Sequence, residues 1–161
     1  MSAIFRKAAA TDIPAVLALY RSVLGTEGCT WDEYYPSETE AEGDLSSGGL
    51  YVFESDGRPI GAVSVLSGEE FDGLAEWHGG SGGSCELSRL AVAPEEQGKG
   101  RAKVIVSEAL KEARKNGYTS ARLLVSKVNR AAVGLYRSLG FDFVGECHEY
   151  GIDFFVCEKV L

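Results

Sequence analysis

Residues 97 to 103, Gln97-Gly98-Lys99-Gly100-Arg101-Ala102-Lys103, hold the densest chemistry in this chain of 161 residues. Gly98 and Gly100 allow a tight turn and omit the Cβ atoms that would keep a phosphate off the backbone. A turn that opens a helix aims several N–H groups at one spot, and the helix dipole adds roughly half a positive charge there. Lys99, Arg101 and Lys103 add full charges, so the stretch reads as an anion site. A P-loop needs Gly-x-x-x-x-Gly-Lys-[Ser/Thr], which occurs neither at Gly79 to Ser84 nor at Gly98 to Lys103. A dinucleotide fingerprint needs a small residue where Lys103 stands and an acidic one about twenty positions on, where the chain reads Leu123-Leu124-Val125-Ser126-Lys127. Both are excluded.

The charge distribution follows the same stretch. Residues 1 to 97 carry 5 Lys+Arg against 17 Asp+Glu, residues 98 to 137 carry 10 against 2, and residues 138 to 161 carry 1 against 5. The net charge of −8 argues against a nucleic-acid binder, while the block of net +8 reads either as a local polyanion site or as a pair of solvated helix faces. Cys29, Cys85, Cys147 and Cys157 show no Cys-x-x-Cys spacing, and His78 and His148 are the only histidines. No metal framework is proposed, and the cysteines read as reduced thiols. No apolar run reaches membrane-spanning length and the N-terminus lacks a signal-peptide core, so a cytoplasmic protein is expected.

The elements that must position this turn are legible from periodicity and punctuation. Ala3 to Ala8 reads as a strand. Thr11 or Asp12 offers an N-cap to a helix over about residues 12 to 24 that Gly25 closes. An acidic helix runs from Ser37 to about Ser47. Leu50 to Glu54 and Ile60 to Leu66 form a hairpin, and residues 67 to 84 form a long irregular loop. Cys85 to Ala93 is a strand leading into the glycine turn. The next helix buries Ala102, Ile105, Val106, Ala109, Leu110 and Ala113 and stops at Asn116-Gly117. A strand over Ala121 to Ser126, a helix from Arg130 to about Leu139 capped by Asn129, and strands near Phe141 to Cys147 and Ile152 to Val160 complete the chain. The order predicts a single α/β (α+β) domain over residues 1 to 161, with a mixed central sheet of about seven strands flanked by four helices.

Gln97-x-x-Gly100-x-Ala102, behind the strand Glu86-Leu87-Ser88-Arg89-Leu90-Ala91-Val92-Ala93-Pro94, resembles the acetyl-CoA pyrophosphate loop of the GCN5-related N-acetyltransferase (GNAT) superfamily. Asn129-Arg130-Ala131-Ala132-Val133-Gly134-Leu135-Tyr136-Arg137-Ser138-Leu139-Gly140-Phe141 is similar to that family's second signature. The resemblance implies a sheet splayed between its fourth and fifth strands. It implies a pantetheine arm bound along Leu90, Ala91 and Val92 and a diphosphate held by Gln97, Gly98, Lys99, Gly100, Arg101, Ala102 and Lys103. Asn129, Ala132 and Tyr136 complete the coenzyme A side. It also implies Tyr136 as the acid that protonates the leaving sulfur and Glu86 as the base, directly or through water. Without the surrounding motif Tyr136 would read as a core aromatic beside Leu135 and Leu139, and Glu86 reads equally as an exposed strand-end carboxylate, on one face with Ser88 and Leu90.

Rival bases are His78, Glu146 and His148, and a Cys85 or Cys147 nucleophile would imply a ping-pong route. Trp31, Tyr34, Tyr35, Phe71 and Trp77, with His78, fall in the two segments expected to wall the acceptor. Their acidic neighbours Asp32, Glu33, Glu38, Glu69, Glu70, Asp72 and Glu76 favour a cationic amine. The implied activity is acetyl transfer from acetyl-CoA to a primary amine, a small molecule rather than a protein, in a ternary complex. The alternative is a non-catalytic coenzyme A sensing module. The strand Phe154-Phe155-Val156 is either core or the edge of a homodimer.

Overall fold

Alternating side chains on the strands sort onto two faces of one sheet, and each face finds its own helices. The computed structural model describes residues 3–79 and 83–161. Its elements are β1 (Ala3–Lys7), α1 (Ile13–Ser22), α2 (Glu38–Ser46), β2 (Leu50–Ser55), β3 (Arg58–Ser67), β4 (Ser84–Val92), α3 (Arg101–Lys115), β5 (Ser120–Ser126), α4 (Arg130–Ser138), β6 (Asp142–Glu149) and β7 (Ile152–Val160). One face carries Val63, Val65, Cys85, Leu87, Leu123 and Val125, packed on Ile105, Val106, Ala109, Leu110 and Ala113 of α3 and on Tyr136 of α4. The other carries Val52, Ala62 and Ala91, packed on Ile13, Val16, Leu19 and Tyr20 of α1 and Ala41 of α2. Helix α3 lies close to the sheet at Gly61, where a Cβ would stand 2.5 Å from the Ile105 Cδ1.

The helix starts follow local chemistry. Ser37 and Glu40 form a capping box on α2, and Asn129 Oδ1 accepts from the Ala132 amide at 3.1 Å to cap α4. The expected helix over 12 to 24 is shorter, because Leu24 and Thr26 donate to Arg21 and Val23 in successive turns. Asp12 precedes α1 without capping it. Its carboxylate accepts from the Ala9 amide at 2.7 Å and from both arms of Arg6 at 2.8 and 3.0 Å, which holds it below the usual carboxylate range.

The sheet order is β1-β2-β3-β4-β5-β7-β6. Every neighbour pair is antiparallel except β4 and β5, which run parallel and share only Ser84↔Ser120, Cys85↔Ala121 and Glu86↔Arg122. Past Glu86 the two strands pair no further, which is the expected splay. Just beyond, β4 bulges: Ala62 faces Ala91 while Ser64 faces Ser88, so β4 spends one residue more than β3, and Arg89 adopts φ +51°. A bulge bends its strand and reverses which face the following side chains take.

That reversal corrects one expectation. Leu90 does not share a face with Glu86 and Ser88; it packs with Val92 on the α3 side, and Ala91 and Ala93 turn to the α1 side. A second correction concerns the strand Phe154-Phe155-Val156. It lies in β7, paired on both sides by β5 and β6, so it is not a free edge; β1 and β6 are the edges.

Since Ile105 is fully buried over Gly61, Ile105→Ala is expected to lower stability by about 2–5 kcal/mol. Urea unfolding measures this, and a loss well under that range would contradict the close docking of α3.

Candidate active site

The glycine turn ends in helix α3 with no side-chain cap. Gly98 and Gly100 take φ +76° and +77°, a backbone that glycine adopts without strain, and Gly100 is the N-cap residue. Among the described residues, none of the amides of Gly98, Lys99, Gly100, Arg101, Ala102 and Lys103 donates to a protein acceptor. A Cβ added at Gly98 or Gly100 would meet nothing within 4 Å. Orphan donors at a helix start, facing open space, are what an anion needs.

Glu96 organises the cations here, pairing with Arg101 at 3.2 Å and Lys99 at 3.5 Å. Lys103 has no ion pair among the described residues and stays exposed. Gln97 turns inward, its Nε2 donating to the Val92 carbonyl at 3.0 Å, and so ties the turn to the end of β4. Leu90 is half-buried, and Ala91 and Val92 are buried. Their backbone lies in the part of β4 that β5 no longer covers. Asn129 caps α4, and Gly28 of the α1–α2 loop reaches across to it: a Cβ at Gly28 would lie 2.7 Å from the Asn129 Cα.

Glu86 and Tyr136 lie on opposite faces of the sheet. Glu86 projects away from the α3 face taken by Cys85 and Leu87, on the side of α1 and α2. It has no hydrogen bond or ion pair among the described residues. Burial pushes its carboxyl up to about 7; Arg89 opposes that rise, and Glu70 and Asp44 add to it. Tyr136 is 7% exposed, sits edge-on to Phe141 at 5.3 Å, and belongs to the α3-side core. Burial raises its phenol, so it keeps its proton at neutral pH. Tyr136 is thus a core aromatic, and its hydroxyl is protonated.

The remaining candidates separate. Cys85 and Cys157 are buried thiols pushed up to about 12, which makes Cys85 a poor nucleophile. Cys147 is also raised, first by burial. His78 pairs at 3.4 Å with Asp142, beside the closed end of the β4–β5 pair where Gly79 approaches Ser120. Glu146 pairs with Lys127, and His148 with Asp153 at 2.7 Å, both on the exposed edge strand β6. Trp31 is edge-on to Tyr20 at 5.6 Å and belongs partly to the core. Tyr34 is 78% exposed, and Tyr35 accepts from Arg89. Phe71 is buried, and its carbonyl accepts from Trp77 Nε1. Gly80 to Gly82, the middle of the expected long loop, lie outside the described residues.

Sequence reasoning missed the groups that hold segment 68–79 against the sheet. Arg122, fully buried on β5, donates to the Gly68 carbonyl at 3.1 Å and to Asp72 at 2.5 Å, and stacks on Trp77 at 4.3 Å. Its cross-strand partner Glu158, equally buried, accepts from the His78 and Gly79 amides at 2.7 and 2.9 Å. A charged residue inside the apolar strand Ala121 to Ser126 was the available signal.

The splayed parallel pair and the open amide turn coincide with what sequence comparison finds. The profile of the Acetyltransferase (GNAT) family matches residues 16–141. The chain belongs to this family. As a GNAT protein it is an acyltransferase. It is 28% identical over 151 residues to the uncharacterized N-acetyltransferase YjgM of Escherichia coli, covering 89% of this chain and 84% of that one. It is 28% identical over 158 residues to an L-methionine sulfoximine/L-methionine sulfone acetyltransferase of Pseudomonas aeruginosa, covering 96% and 88%. The fold matches that of yncA, a putative acetyltransferase of Salmonella typhimurium solved with acetyl-CoA, at TM-score 0.78 and 23% identity over 100% of this chain and 95% of that one.

Glu86 is the carboxyl on the α1–α2 side that burial brings to about 7. Carboxyl-carbon NMR is expected to show Glu86 titrating near 7, above the exposed carboxylates. A midpoint in the ordinary glutamate range would contradict its desolvation.

Proposed function

We propose that this protein transfers an acetyl group from acetyl-CoA to a primary amine of a small molecule, by direct attack in a ternary complex. The observation that carries this is the run of undirected amides from Gly98 to Lys103 at the uncapped start of α3, opening onto clear space. A diphosphate satisfies those amides. Arg101, Lys99 and Lys103 add charge that Glu96 only partly offsets. From that anchor the pantetheine arm lies along the uncovered edge of Leu90 to Val92, so the thioester reaches the point where β4 and β5 part.

Glu86 then faces the incoming amine. An alkyl ammonium holds its proton up to a pH near 10, and a carboxylate with a midpoint near 7 is a competent acceptor for it. The C–N bond forms as the C–S bond breaks. Of the two protons the nitrogen sheds, one leaves through Glu86 to solvent. The other balances the proton that the Tyr136 hydroxyl gives to the departing sulfur. A buried phenol held in its protonated form suits that donation.

The acceptor reading rests on the side of the sheet facing Glu86. Glu69, Glu70, Asp72 and Glu76 lie on the segment that Arg122 and Glu158 hold in place, and they favour a cationic amine. The acceptors named for the Pseudomonas relative are small molecules. The exposed aromatics Tyr34 and Tyr35 supply the outer wall. We place the reaction in the cytoplasm, on the four free cysteines.

Tyr136→Phe is expected to lower kcat by roughly tenfold to a hundredfold while coenzyme A affinity stays within about twofold. Thiol release and calorimetry measure the two, and unchanged kcat removes Tyr136 from the chemistry. In the unsubstituted enzyme the rate is expected to rise with pH through about 7, because the base acts only when deprotonated. Glu86→Gln is expected to abolish that rise. Gly100→Val places a β-branched side chain at φ +77° above the amides. It is expected to weaken coenzyme A binding at least tenfold, and unchanged affinity would overturn the donor loop.

A further inference from the structure

Glu86 is not alone on its face of the β4 bulge. The left-handed backbone of Arg89 sends its side chain to the same side, where the guanidinium is 13% exposed. Its Nε and Nη2 donate to the two oxygens of Asp44 on α2, at 2.8 and 2.7 Å, and its Nη1 donates to the Tyr35 hydroxyl at 3.0 Å. Asp44 is held in turn: it is 5% exposed and accepts from the Ser64 hydroxyl at 2.5 Å. Each nitrogen of the guanidinium therefore donates to protein, and the Nε–Nη2 edge is filled by the carboxylate.

Arg89, Glu70 and Asp44 all act on Glu86, and Arg122, its register partner on β5, lies beside it with its guanidinium on Asp72. An amine approaching Glu86 meets two other carboxylates, and the two cations nearby, Arg89 and Arg122, are each already paired with an aspartate. A carboxylate on the carbon next to that amine would have to sit among them. It would find no uncommitted positive group, and would lose its hydration in a half-buried site.

We propose that the Asp44–Arg89–Tyr35 clamp is the specificity determinant of the acceptor side: by withholding the guanidinium that faces Glu86, it selects amines that carry no carboxylate on the adjacent carbon. Simple alkyl amines, amino-acid amides and other blocked amino acids qualify; free α-amino acids, the class of acceptor named for the Pseudomonas relative, do not, and on this point the two proteins are expected to differ. Arg89 acts here as a positioning residue that also joins the β4 bulge to α2 and to the α1–α2 loop. This inference rests on the acetyltransferase activity proposed above.

The test compares matched acceptors that differ only at that carboxyl: L-methionine with L-methionine amide, and L-phenylalanine with 2-phenylethylamine. Thiol release from acetyl-CoA gives kcat/KM for each, and calorimetry gives acetyl-CoA binding separately. The expected result is at least a tenfold preference for the partner that lacks the carboxylate in both pairs. Asp44→Asn, which keeps the shape but releases the charge of Arg89, narrows that preference at least threefold, and acetyl-CoA affinity stays within about twofold. Should Asp44→Asn fail to fold, Tyr35→Phe, which frees one arm of the fork on the exposed side, narrows it in the same direction. Equal rates within the pairs, a preference for the free acid, or an unchanged ratio in the folded variants overturns the inference. So does bound acetyl-CoA with no turnover of any of these acceptors. Failure to bind acetyl-CoA at all overturns the donor reading itself.

Discussion

Backbone N–H and C=O groups in a folded protein must be paired with something, and β4 and β5 leave theirs facing a gap once their register passes Glu86 and Arg122. The amide turn at the start of α3 continues the same deficit by another route, since a helix start without a cap leaves its first donors unsatisfied. The strand edge and the helix start adjoin, because Gln97 ties the turn to the Val92 carbonyl. In the proposed binding mode, a ligand with an amide-bearing arm and a diphosphate would complete both at once. The basic block of the sequence begins at this junction, and the acidic segments lie elsewhere.

In the proposed mechanism, the gap also lets an acid and a base with opposite requirements serve one thioester. Tyr136 belongs to the α3-side core, where burial keeps its proton on. Glu86 belongs to the α1–α2 side, where partial burial brings its midpoint to about 7 instead of suppressing ionisation altogether. In a continuous sheet the two would be separated by a layer of hydrogen-bonded backbone. Where the strands part, a thioester can be approached by an amine from one face while its sulfur is served from the other. The bulge at Arg89 adds the third element of this arrangement by turning Leu90 and Val92 to the donor side and the guanidinium to the acceptor side.

Much of this was legible in the chain. The Gln97 to Ala102 pattern, the Asn129 cap, the helix face of α3 and the order of all eleven main elements could be taken from spacing and punctuation, because each depends on neighbours in sequence. What was hidden depends on distant partners. Arg89 gives no sign in sequence that it adopts φ +51°, so simple alternation put Leu90 on the wrong face. Asp44 looked like one more acid in an acidic helix, yet it is buried against Arg89 and Ser64. Arg122 and Glu158 are fully buried partners across β5 and β7, and only their charge within apolar strands hinted at it. The expected helix end at Gly25 misplaced a boundary because the turns at Leu24 and Thr26 close the helix before the glycine.

Amide hydrogen exchange on the intact protein, with and without acetyl-CoA, tests the central claim most directly, because it reads the unsatisfied N–H groups themselves. The account predicts that Gly98 to Lys103 exchange rapidly in the free protein, and that they become strongly protected, together with amides of Leu90 to Val92, when the donor binds. Protection confined to other parts of the chain, with the α3 start unchanged, would contradict it.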